Sequence, residues 1–143
     1  MLINNAGYAT KGSEVNEKIA RDTIGVNYFG VKKTTFGLLD LVKKTKGRIV
    51  VVSSGAGHLA SNYSDEIKEK LLAAHSLESL DQIAEQFFEL VSEEKLMGHG
   101  FPPSTYKVSK ALVNAFVQFL QKQEPELFVA SACPGYVSFF FFI

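Results

Sequence analysis

The 143 residues predict an α/β fold: part of a doubly wound parallel sheet, with a helical insert between Ser54 and Tyr106. Three observations carry that expectation. Ile49-Val50-Val51-Val52 is an unbroken β-branched run, and a strand without polar alternation is one covered on both faces, as in parallel sheets. Strand-like and helix-like patterns alternate along the chain. Turn signals at Asn4-Asn5-Ala6-Gly7, Ser53-Ser54-Gly55 and Pro134-Gly135 each follow a strand pattern, and ligands of open α/β sheets bind at such carboxyl ends.

Leu2-Ile3 ends a first strand and runs into a turn. From about Asn16 to Lys44 the spacing predicts a long helix. Ala20, Ile24, Asn27, Tyr28, Val31, Thr35, Leu38, Leu39 and Val42 share its inner stripe, and Gly47 stops it. Arg48 to Ser53 is the second strand. After a polar loop, Asp65 to Ala74 reads as helix. Another begins at Ser79, whose spacing to Gln82 makes a capping box, and turns Ile83, Ala84, Phe87, Leu90 and Val91 inward. Gly98 to Pro103 breaks it. A helix from about Ser104 to Lys122 buries Val108, Leu112, Phe116 and Phe119 or Leu120, and Phe128 to Ala132 is a last buried strand; Cys133 reads as a packed residue of that strand rather than a reactive thiol. Three strands do not complete a sheet of this type, so partner strands are expected outside these residues. The chain reads as one partial domain, 1–143, with its insert at about 59–104.

Composition narrows the function classes. Fifteen basic residues balance fifteen acidic ones, so no net field draws the chain to nucleic acid or anionic membrane. No apolar run approaches the roughly 20 residues that span a bilayer. Cys133 is the single cysteine, which rules out an internal disulfide and fits a reducing, cytoplasmic setting. His58, His75 and His99 lack paired metal spacing. Both ends read as cut: Met1 leads straight into Leu2-Ile3, and four phenylalanines, Phe139 to Phe142, follow a turn.

The chemistry concentrates on Tyr106-x-x-x-Lys110. Four apart on a helix, the two side chains share a face about 5–6 Å apart at Cβ. A phenol is a poor acid near neutral pH; a fixed ammonium beside it favours the phenolate and brings it toward the range useful for proton transfer. The Ser54 hydroxyl at a strand end is placed to hydrogen-bond the same substrate oxygen. Tyr28 and Lys32 repeat the pattern, but they sit mid-helix on an apolar stripe, where packing explains them. Gly55-Ala56-Gly57-His58-Leu59-Ala60 matches a dinucleotide-binding turn in letters. It should then open a helix, and Ser61-Asn62-Tyr63-Ser64 breaks the pattern first, so it reads as a flexible loop. A hydrolase elbow at Ser54 lacks its first glycine, because Val52 stands there.

The ordered set Asn5-Ala6-Gly7, Asn27, Ser54, Tyr106-x-x-x-Lys110 and Pro134-Gly135 resembles the short-chain dehydrogenase/reductase family over nearly the whole chain. The insert, with Gly100-Phe101-Pro102-Pro103-Ser104-Thr105-Tyr106 after it, looks like the monomeric carbonyl reductases. The resemblance implies a Rossmann-like fold and reduction of ketones, aldehydes or quinones with NADPH; the residues that separate NADPH from NADH are not among these. It further implies that Tyr106 protonates the carbonyl oxygen, Lys110 tunes the tyrosine and binds the nicotinamide ribose, and Ser54 orients the carbonyl. Asn27 would hold a water in the proton relay. Asn5, Ala6 and Gly7 would line the cofactor channel, and Pro134, Gly135 and Val137 would contact the nicotinamide. A monomer is implied because the insert covers the helical face that other members use to associate. Two features depart from the family: no glycine-rich phosphate turn is present, and Ser138 followed by Phe139 to Phe142 replaces a polar segment. A truncated, non-catalytic relative is therefore the competing reading.

Overall fold

The computed structural model describes residues 1–10, 12, 14–59 and 63–135. Its sheet is three parallel strands in the order β1 (Leu2–Asn4), β2 (Arg48–Val52) and β3 (Phe128–Ala132). The register pairs Ile3 with Val50 and Val50 with Ala130. The helical rod between β1 and β2 consists of α1 (Glu17–Ile24), a π-helical turn (Gly25–Gly30) and α2 (Val31–Lys44). Asn16 caps it, its side chain accepting from Ile19 N at 2.9 Å, which satisfies one orphan donor of the first turn. The predicted long helix is thus one rod, with its hydrogen-bond ladder widened at the residues flanking Asn27. π-turns of this kind are inserted residues and recur at functional sites.

After β2 a 3₁₀ turn (Gly55–Gly57) leads toward the insert, which holds α3 (Asp65–Leu72) and α4 (Leu77–Ser92). The cap of α4 is Ser76, not Ser79: Ser76 Oγ accepts from Ser79 N at 3.1 Å, and Ser79 Oγ donates back to Ser76 O. Ser76 has a serine, Ser79, at the third position where a capping box has Glu or Gln, but starting there adds a turn that packs Leu77 against the core. The helix ends at Ser92, with Glu94 in the left-handed region at φ 56°, before the Gly98–Pro103 segment is reached. Helix α5 (Thr105–Gln123) follows, capped by Ser104.

Right-handed crossovers place α2 and α5 on one face of the sheet. Ile49, Val51 and Val129 are buried there, and Asn4 Nδ2 donates to Thr35 Oγ1 of α2 at 3.0 Å. The other face is not covered as expected. Ile3 is 52% exposed and Phe128 55%, and Val50 and Val52 are only half-buried. β3 is therefore covered on one face rather than buried on both, with Ser131 and Ala132 exposed, and among the described residues it pairs with β2 alone. Leu38 also faces out. Within the insert Phe87 meets Phe101 with ring centroids 5.4 Å apart, and the insert packs back onto the rod where the Arg21 guanidinium lies over Phe88. The second Tyr-x-x-x-Lys pair anchors the insert. Tyr28 OH donates to Asp81 of α4 at 2.8 Å, and Lys32 Nζ donates to both oxygens of Asp81 at 2.6 Å. No described helix is long and apolar enough to cross a membrane.

Candidate active site

A cavity of about 770 Å³ opens at the carboxyl ends of the strands, and Asn5, Gly7, Tyr8, Ser54, Tyr106, Lys110, Cys133, Pro134 and Gly135 are among its lining residues. The topology explains the gathering. β1 delivers the Asn5–Gly7 turn, β2 delivers Ser54, and β3 delivers Pro134-Gly135, all at the same end of parallel strands. The first turns of α5 place Tyr106 and Lys110 against them.

Lys110 is 5% exposed. Its ammonium donates to Val52 O at 2.9 Å and lies 5.7 Å from the Tyr106 ring centroid. Among the described residues it has no carboxylate partner. Burial pushes its pKa below the ordinary lysine value, with the nearby Cys133 sulfur acting in the opposite direction. Buried charges are ordinarily paired, and an ammonium carries three donors, so a cation held by one carbonyl keeps donors for a ligand in the cavity. Ser54, half-buried, sits at the head of the 3₁₀ turn with its Oγ accepting from Ala56 N at 3.2 Å.

The turn is seated tightly. A Cβ on Gly57 would stand 2.7 Å from the carbonyl carbon and oxygen of Lys110 and 2.8 Å from Asn114 Nδ2. The described part of the Gly55–Ala60 motif is a packed 3₁₀ turn leaving into extended backbone at His58, rather than a flexible loop. Cys133 is another correction: it lies beyond β3, is exposed, and its Sγ accepts from Gly55 N at 2.9 Å. A thiol predicted as packing instead fastens the Ser54 turn to the strand end.

Asn27 is brought near but does not line the cavity. Its Oδ1 accepts from Tyr8 N at 2.7 Å, and its Nδ2 donates to Tyr8 O at 2.8 Å and to Ser109 Oγ at 2.9 Å. Both amide donors are used on protein, so a water at this position falls to other atoms of the residue. Ala6 is exposed and outside the lining. Val137 lies outside the described residues, as do Tyr136 and the phenylalanine run. Sequence reasoning missed Ser109, fully buried, and Asn114, whose Oδ1 accepts from Ser53 Oγ at 2.7 Å. The signal for Ser109 was a serine on the buried stripe of α5, one turn after Tyr106. No group of three or more potential metal ligands occurs among the described residues.

The carboxyl ends of three parallel strands thus gather a Tyr-Lys pair and a serine around one cavity. Residues 1–64 match the family model described as short chain dehydrogenase. Short-chain dehydrogenase/reductase 1 of Saponaria officinalis is 32% identical over 96% of this chain and 54% of its own length. Carbonyl reductase (NADPH) 3 of Rattus norvegicus is 30% identical over 96% of this chain and 53% of its own. The solved structure of salutaridine reductase from Papaver somniferum superposes with a TM-score of 0.78 at 30% identity, covering 84% of this chain and 42% of that one. The chain belongs to the short-chain dehydrogenase/reductase family. It spans about half the length of the curated relatives it matches.

Proposed function

We propose that this chain carries the proton-delivering half of an NADPH-dependent carbonyl reductase acting on ketones, aldehydes or quinones. The observation that carries the reading is Lys110: buried, without a carboxylate among the described residues, and beside Tyr106 in a cavity shared with Ser54. The names of the rat carbonyl reductase and the poppy salutaridine reductase support the substrate class and the cofactor.

The nicotinamide end of the cofactor suits the residues present. Lys110 has donors to spare for ribose hydroxyls, and Gly7 and Gly135 line the cavity without adding a side chain to it. When bound, a reduced nicotinamide supplies the hydride. Tyr106 donates its phenolic proton to the carbonyl oxygen, so that an alcohol forms. Lys110 stabilises the phenolate left behind, because an ammonium one helical turn away favours the charged form. The Ser54 hydroxyl donates to the same oxygen and fixes its direction. Asn27 acts behind them by holding Tyr8 in the wall. Packing of α4 against the rod covers the helical face on this side, which favours a monomer.

The test is Tyr106→Phe in a form that also carries the phosphate-binding half. Carbonyl turnover is expected to fall by about 10²–10⁴-fold, the usual contribution of a positioned proton donor, with NADPH affinity retained. Turnover at the wild-type rate refutes the assignment. Residues 1–143 alone are expected to show no NADPH turnover, since dinucleotide affinity comes largely from pyrophosphate on a helix N-terminus.

A further inference from the structure

We propose that Ser109 is a positioning residue that locks Tyr106 and the Asn5–Tyr8 wall of the cavity into one frame; the inference rests on the reading of Tyr106 as proton donor. Ser109 is fully buried on α5. Its hydroxyl donates to Tyr106 O at 2.8 Å, a bond that serines commonly make inside helices. Ser109 Oγ itself accepts from Asn27 Nδ2 at 2.9 Å, from a residue 82 positions away. Asn27 in turn closes a two-point clamp on the backbone of Tyr8. A chain of hydrogen bonds therefore runs from the wall after β1, through the π-turn, into the first turn of α5. Ser109 is the side chain in it that touches both Asn27 and the backbone of Tyr106.

Each link is buried or half-buried, so water is a poor substitute, and a bond lost there leaves a donor without a partner. The π-turn makes the geometry possible by placing both Asn27 and its neighbour Tyr28 inside. Tyr28 then points to Asp81 while Asn27 points to the site. The functional consequence is that the distance between the nicotinamide wall and the phenol is set by hydrogen bonding, not by apolar contact alone.

Hydrogen exchange read by mass spectrometry on the full chain tests this in wild type, Ser109→Ala, Ser109→Thr and Asn27→Ala with and without Ser109→Ala. Alanine is the better helix former, so α5 itself is not weakened by the first change. In Ser109→Ala the Tyr8 amide is expected to exchange at least about tenfold faster, while amides of β2 and α4 stay within about twofold. Threonine keeps the hydroxyl and is expected to restore Tyr8 protection. In the Asn27→Ala background, Ser109→Ala is expected to add nothing, because the shared link is already gone. Unprotected Tyr8 in wild type, unchanged Tyr8 exchange in Ser109→Ala, a uniform rise across all amides, or additive single effects each overturn the proposal. Retained turnover in Tyr106→Phe would remove the catalytic meaning instead, and leaves the exchange result separately readable.

Discussion

Replacing Gly57 by alanine tests how tightly the serine-bearing turn is seated on the helix that carries the tyrosine and lysine. The added methyl carbon would lie 2.7 Å from Lys110 C and O and 2.8 Å from Asn114 Nδ2, where non-bonded carbon is comfortable at about 3.5–4.0 Å. Roughly an ångström of overlap falls on helix backbone, which cannot rotate away as a side chain tip would. Overpacking of this kind costs about 1–3 kcal/mol. The turn has no free direction of retreat either, since Gly55 N is bonded to Cys133 Sγ and Ser53 N to Ala132 O. Gly37→Ala serves as the internal control. Gly37 lies exposed within α2 with nothing within 4 Å of the new methyl, so it is expected to stabilise by about 0.5–1 kcal/mol. Urea unfolding followed by far-ultraviolet circular dichroism compares the two, provided the slopes agree. If Gly57→Ala unfolds at the wild-type urea midpoint or above it, the turn is not clamped as described, and Ser54 is not held by packing on Lys110.

Two further perturbations probe burial and the insert. Lys110 titrates below its ordinary value of 10.5 in the folded chain, so between the lowered and the unfolded value the unfolded state binds more protons, and stability rises with pH across that window. Lys110→Met is expected to abolish this rise; urea midpoints measured from pH 7 to 11 that climb equally in both forms would count against a desolvated ammonium. Asp81→Ala leaves the fully buried Tyr28 hydroxyl without its acceptor, at a cost of about 1–3 kcal/mol. Tyr28→Phe should cost less because Lys32 still pairs with Asp81, and the opposite ranking in urea unfolding would mean the anchor is not the Asp81 carboxylate.

Local chemistry was legible and context was not. Ser104 and the apolar stripe from Val108 to Leu120 announce α5 within a residue, since a cap and a repeat are written in adjacent positions. The Phe128–Ala132 strand was found with its limits, yet its exposure was misread: an apolar strand says what it would bury, not which neighbours are present. Cys133 was misjudged for the same reason. Helix α4 is capped by Ser76 rather than Ser79 because Ser79 takes the reciprocal place usually given to Glu or Gln, and packing of Leu77 favours the longer helix. The π-turn left no mark in the pattern, because both Asn27 and Tyr28 sit inward and the stripe continues past them unbroken. In the site, Tyr106, Lys110, Ser54 and the glycine turns could be picked out since their chemistry is in their identity. Ser109 and Asn114 act only by whom they touch, 82 and 61 positions away along the chain.

The glycine motif after β2 shows why the distinction between a phosphate turn and a packed turn is physical. A dinucleotide loop uses glycine so that backbone can approach pyrophosphate at the start of a helix. Gly57 spends its missing side chain on the carbonyl of Lys110 instead, and it closes a 3₁₀ turn, Gly55–Gly57, that leaves into extended backbone at His58 rather than into a helix. Its amide is already bonded to Ser54 O at 3.0 Å, so it has no donor to offer an anion. What that glycine achieves is proximity between Ser54 and the Tyr106–Lys110 turn. Under the proposed function the groups that move the proton sit together, whereas no phosphate-cradling turn at the start of a helix is formed at this motif among the described residues. Binding strength and proton transfer are thus separable in this fold, and a reduced nicotinamide mononucleotide, which lacks the second phosphate and the adenosine, should lose much less affinity than NADPH does when only residues 1–143 are present.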